Sequence, residues 1–209
     1  MTLHPPPVLA GHRLVVVDVE GNGQQPPEIV EIALLPLDQD KPTTVEDLRT
    51  WLVRPARPIT ALVTRKVHGI TETDVAGSPP WGDVAGQVSA VVDGAVVVAH
   101  NASVEHRVLG AHLPTWQPPL VLDTLRLAKA VWPTLPGGYG LDNLITSAGL
   151  TPPGESAAGL RRHRAGYDAW MTAALLIALV EHGDLGWEQL TEAGRLPGSG
   201  PTDTEGGLW

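Results

Sequence analysis

Residues 15–21 read Val-Val-Val-Asp-Val-Glu-Gly, so two carboxylates interrupt a run that otherwise belongs in a core. On a β-strand, positions i and i+2 project from one face. Asp18 and Glu20 therefore point the same way. Two like charges beside a sheet interior are costly unless a cation lies between them. A hard divalent ion such as Mg²⁺ or Mn²⁺, which takes carboxylate oxygens and keeps several waters, meets that need. The competing account is a strand that has emerged into solvent and ends at the Gly21-Asn22-Gly23 turn.

A second candidate acid is Glu105, which follows the apolar run Val96-Val97-Val98-Ala99 and the turn His100-Asn101-Ala102. In the first turn of a helix it could lean over the C-terminal edge of a sheet, where sites in α/β folds collect. An acid there is also favoured by the helix dipole alone, with Asn101 or Ser103 as the cap. A third cluster is His163-Arg164-Ala165-Gly166-Tyr167-Asp168. A loop imidazole with an unperturbed pKa of ~6.5 suits proton removal from water near neutrality. The helix that begins beside it would hold Asp168 rigidly. Read separately, the two residues are equally a surface histidine and a first-turn aspartate. Arg161, Arg162 and Arg164 form a tight basic cluster, open to phosphate contacts or to plain solvation. Trp81 and Trp116 could stack on bases, or simply pack.

The elements that must position these groups follow from hydrophobic period. Leu14–Val19, Glu28–Leu37 and Thr50–Arg54 read as three successive strands, an antiparallel meander. Pro80–Val92 has helical spacing, and Gly94 separates it from the buried strand Ala95–Ala99. Ser103–Leu113 is expected to be helical and closed by Pro114. The short strand Leu120–Asp123 runs into the helix Thr124–Val131, and Asp123 serves as its cap or turn residue. Helices over Leu141–Ala148 and Tyr167–His182 end at Gly149 and Gly183. Strands first and helix–strand alternation afterwards predict an α/β fold, a mixed sheet with helices on its faces. Residues 1–12, with three consecutive prolines, read as a tail or edge strap. Residues 186–209 read as a C-terminal extension ending in an apolar Leu208-Trp209 pair that could dock.

A chain of 209 residues fits one α/β domain. The 43% hydrophobic content is globular, and no apolar run reaches the ~18 residues that a membrane span needs. The start lacks a secretory pattern, and with no cysteine there is no disulfide framework or thiolate site, so a cytoplasmic location is expected. A net charge of -9 argues against coating long duplex nucleic acid, but not against gripping a strand end.

Taken together, Asp18-Val19-Glu20, His100-Asn101-Ala102-Ser103-Val104-Glu105 and His163-x-Ala165-x-x-Asp168 resemble the motifs of the DEDDh family of 3′→5′ exonucleases. Val67-His68-Gly69-Ile70-Thr71, Leu122-Asp123-Thr124 and Gly140-Leu141-Asp142-Asn143-Leu144 also look like family segments, and the likeness runs from about Leu14 to His182. The resemblance implies a ribonuclease-H-like mixed β-sheet over an exonuclease domain of residues 13–185. It implies hydrolysis at the 3′ end of DNA or RNA, releasing 5′-mononucleotides. Two divalent ions, Mg²⁺ or Mn²⁺, would be held by Asp18, Glu20, Glu105 and Asp168, with His163 as general base. His68, Asn101 and Arg164 would contact substrate: a single-stranded 3′ end or short oligonucleotide. No membrane partner is expected, and a homodimer is one arrangement open to the chain. The family normally places Asp where this chain has Glu105. The extra methylene carries its oxygens about an ångström further, consistent with an adapted metal site, a changed substrate such as a dinucleotide or small nucleotide ester, or an inactive nucleic-acid-binding member.

Overall fold

The computed structural model describes residues 2–37, 41–153 and 160–200, and the Leu208-Trp209 pair lies outside them. The chain opens with β1 (Thr2–Leu3), then β2 (Leu14–Gly21) and β3 (Ile29–Leu37). β4 (Thr43–Thr44) and β5 (Arg49–Leu52) follow. Helices α1 (Ala61–Lys66), α2 (Glu72–Val75) and α3 (Trp81–Val92) lead to β6 (Val96–Ala99) and α4 (Ser103–His112). β7 (Val121–Asp123) then runs into α5 (Thr124–Val131), α6 (Leu141–Ser147), α7 (Ala165–His182) and α8 (Trp187–Gly194).

Five strands form one sheet in the order β5-β3-β2-β6-β7. The meander β2, β3, β5 is antiparallel, as its short connections require, and β6 and β7 join in parallel through helical crossovers. This is a mixed ribonuclease-H-like sheet flanked by helices. One face carries Leu14, Val16, Leu35 and Val98 against α5, α6 and α7, and the other carries Val15, Val17, Ile32 and Val97 against α3 and α4. The strand period of two thus sorts β2 between two cores. α7 is apolar nearly all round, with Trp170, Leu175 and Leu179 fully buried, as suits a helix between the sheet and α5 and α6. Gly166 lets its first turn approach Leu48 and Leu160, whose side chains lie 3.1 Å from where a Cβ would sit.

Two stretches that look irregular in sequence acquire structure from distant partners. Thr2 and Leu3 pair antiparallel with Thr44 and Thr43, and Leu3 and Leu9 are buried. α8 packs on α5, and Leu196 N–H then donates to the Val121 carbonyl at the edge of β7. Among the described residues no helix is long and apolar enough to cross a membrane.

Candidate active site

β2 pairs with β6 only over Leu14–Val16, so Asp18 and Glu20 lie beyond the point where their parallel neighbour has turned away. Following Leu14 and Val16 along the same face, they aim at the N-terminal turn of α7, which carries Asp168. Carboxylate oxygens of Asp18, Glu20 and Asp168 all lie within 4.8 Å of one another.

Burial and crowding push the protonation of this group upward. Asp18 is raised well above its ordinary value, first by desolvation and then by the charges of Asp168, Glu105, Glu20 and Glu31. Glu20 is raised to about 8 by desolvation, then by Asp168 and Glu31, against the opposing pull of Arg164. Asp168 is raised to about 7 by desolvation and then by Asp142, while Arg162 and a hydrogen bond from the His163 backbone lower it. Such a set holds its charges together only with a cation among them.

Glu105 is not among the carboxylates that meet within 4.8 Å, but its charge reaches Asp18 and Glu20. α4 packs on the opposite face of β2, and Glu105 is buried at 5% exposure with Oε2 lacking any hydrogen-bond partner. Desolvation raises it to about 8, with Asp123 adding to the shift and its own backbone N–H lowering it. An orphaned buried oxygen beside three crowded carboxylates is a hard, oxygen-only donor set, and it fits divalent cations.

His163 and Asn101 both adopt left-handed backbone, at φ 58° and 59°. Histidine and asparagine tolerate that region better than most residues, and it presents each as an exposed side chain. The Asn101 turn is pinned by Asp123, whose Oδ1 accepts from the backbone N–H of Asn101 and of Leu125 at 2.9 Å each. Asp123 is thus the N-cap of α5.

His68 is buried at 5% exposure. Its Nδ1 accepts from Ile70 N–H at 3.0 Å, which leaves Nε2 to donate to the Gly21 carbonyl at 3.1 Å. Both ring nitrogens therefore brace the backbone next to Glu20, and the ring helps to wall a cavity of about 170 Å³. Arg164 turns its guanidinium onto Glu31, with Nε to Oε2 at 2.8 Å, and Arg162 pairs with Asp142. His100 bonds Thr124 and the Tyr139 carbonyl, while Trp81 and Trp116 donate to the His112 and Val92 carbonyls, all packing roles.

Two residues of this centre escape a reading of the sequence. Glu31 sits opposite Glu20 in the β2–β3 register and is 3% exposed. Its position in an alternating strand gives no hint of an ion pair. Asn22 is fully buried, and its Oδ1 accepts from Gln24 and Glu28 N–H, closing the loop after Glu20. Its place in a Gly-Asn-Gly turn was the available signal.

Residues 15–176 match the model of a family described as Exonuclease (RNase_T). The chain belongs to this exonuclease family. It is 34% identical over 196 residues to Exodeoxyribonuclease 10 of Escherichia coli (strain K12), covering 92% of this chain and 80% of that protein. It is 36% identical over 176 residues to a DNA polymerase III subunit epsilon-like protein of Rhodobacter capsulatus, covering 79% of this chain and 23% of the relative. Among solved structures, Exonuclease X in complex with 5′ overhanging duplex DNA superposes with a TM-score of 0.69 at 33% identity, over 86% of this chain and 98% of that one.

Proposed function

We propose that this exonuclease-family chain hydrolyses single-stranded 3′ ends of DNA, with Asp18, Glu20 and Asp168 holding divalent metal. The observation that carries the reading is the meeting of those three carboxylates within 4.8 Å at the open end of β2. DNA, rather than RNA, is the substrate suggested by Exodeoxyribonuclease 10 and by the duplex DNA bound to Exonuclease X. Two ions, Mg²⁺ or Mn²⁺, would supply an activated water and stabilisation of the departing 3′ oxygen when bound.

The chain's own residues do the rest. Asp18, Glu20 and Asp168 supply hard oxygen donors, and Glu105 supports them from the opposite side of β2 through its unpartnered Oε2. The exposed His163 imidazole holds the proton taken from water. Its backbone also lowers the pKa of Asp168, favouring the ionised carboxylate. Asn101 and the His68 ring meet the terminal nucleotide, and Arg164 positions the His163 loop by anchoring it to Glu31.

The deciding experiment incubates the protein with end-labelled DNA, RNA and dinucleotides in Mg²⁺, Mn²⁺ or excess chelator. Release of 5′-mononucleotides from the DNA 3′ end, abolished by chelator, is the expected result. Faster turnover of dinucleotides than of longer strands would move the substrate to small nucleotide esters. Binding without hydrolysis in either metal would make the chain an inactive nucleic-acid-binding member.

A further inference from the structure

We infer that the substrate strand crosses a cationic rim formed by Arg107 and Lys66, not the Arg161–Arg164 segment that forms the basic cluster of the sequence. This rests on the exonuclease reading above and adds to it the path of the strand.

The argument starts from where the cations go. Arg13 donates to carbonyls at the end of α3, Arg54 to the Ala76 carbonyl, and Arg57 is paired with Glu28. Within the basic cluster, Arg162 is paired with Asp142 and Arg164 with Glu31, so two of its three guanidiniums have internal partners and Arg161 is left. Arg107 and Lys66 are exposed, and among the described residues their side chains, like those of Arg49, Arg65, Arg126, Arg161 and Arg195, make neither an ion pair nor a hydrogen bond; Arg107 differs in lining a cavity that Glu20 also walls.

The tertiary fold brings Arg107 to a cavity and sets α1, which carries Lys66, along its wall. Arg107, on α4, lines the space of about 170 Å³ whose wall also includes Glu20, Val63, Val67 and Val104. Lys66 lies three residues after Val63 on α1, hence on the same helical face. α1 is held against the loop after Glu20 by Gly23, at φ 75°, where a Cβ would fall 2.2 Å from Thr60 Oγ1. Leu62, four residues before Lys66, is 68% exposed, and Val67 is 47% exposed. Apolar side chains flanked by unpaired cations, at the lip of a cavity that reaches a catalytic-type carboxylate, match a strand's alternation of base and phosphate. In a chain of net charge -9, cations without internal partners at this lip also draw a polyanion toward the carboxylate end of β2.

The test measures anisotropy of a labelled short oligothymidylate across a salt series, in an Asp18→Asn background that blocks turnover. Each phosphate contact on a single strand contributes about 0.7 to the slope of log affinity against log salt. Arg107→Ala and Lys66→Ala should each lower the slope by about that amount, and Arg107→Lys should retain it. Arg49→Ala, the same charge change on edge strand β5, and Arg161→Ala should leave it unchanged. With Asp18 restored, both rim variants should raise KM while keeping kcat within about twofold. An unaltered slope in Arg107→Ala, or an equal fall in Arg161→Ala, overturns the rim. Because anisotropy needs no turnover, a chain that binds through the rim but hydrolyses no 3′ end would overturn only the exonuclease reading.

Discussion

Arg164 and Glu31 are 133 positions apart in the chain, yet form a two-pronged ion pair at 2.5 and 2.8 Å. The Ala165 backbone N–H adds a third bond to the same carboxylate at 2.9 Å. β3 is thereby clamped to the start of α7, and the loop that carries His163 is fixed relative to Glu20, the register partner of Glu31. Glu31→Ala strands a partly buried guanidinium and should cost about 3 kcal/mol of stability in urea unfolding. It should also lower kcat more than it raises KM, whereas a purely structural clamp would leave the kcat of the remaining folded enzyme unchanged.

Neutralising one acid of a crowded group relieves repulsion. Asp18→Asn should abolish metal-dependent hydrolysis and at the same time raise the Tm of the metal-free protein. Scanning calorimetry in chelator checks the second effect. A lowered Tm would mean that the three carboxylates are not in electrostatic conflict.

The pH dependence of metal-free stability follows in sign from the same crowding. Glu20 and Glu105 are raised to about 8 and Asp168 to about 7, so the folded state binds more protons than the unfolded one. Their protonated forms contribute stability at low pH that is lost as pH rises from ~4.5 through about 8. Tm in chelator should fall across that window. Saturating Mg²⁺ should cancel the decline and raise Tm most at the alkaline end, because the metal binds the ionised acids.

His163 contributes to the site twice, through an exposed imidazole and a backbone N–H directed at Asp168. His163→Ala keeps the second and should lower kcat by about 10²–10⁴ with little change in KM. His163→Gly should be equally slow but more stable, since glycine occupies φ 58° without strain. Comparable kcat in wild type and either variant would remove the imidazole from the chemistry.

Glu105 lies outside the three-acid group although its Oε2 is buried and unpartnered. Shortening it withdraws the carboxylate further, so Glu105→Asp should reduce activity, Glu105→Gln should reduce it more, and Mn²⁺ should restore part of the loss. A rate gain in Glu105→Asp would instead mark the longer side chain as a defect. Steady-state rates in both metals decide between them.

The sequence by itself determined the main strands and the long helices, though not the short helices α1 and α2 or α8 in the C-terminal extension. The strand alternation of residues 14–21 put Asp18 and Glu20 on one face, and Asp123 before Thr124–Val131 announced a cap. The meander and its helical crossovers were equally legible from spacing and breakers. Only tertiary structure decided which charges meet. Arg164 reads as a free cation until β3 delivers Glu31 to it, and Arg107 and Lys66, 41 positions apart, look unrelated until α1 and α4 share a cavity. Leu3 gained a strand partner, and the charge of Glu105 came to bear on Asp18, for the same reason. Local periodicity follows from backbone geometry within a few residues, whereas ion pairing, burial and desolvation depend on sheet register and helix packing between segments far apart in the chain.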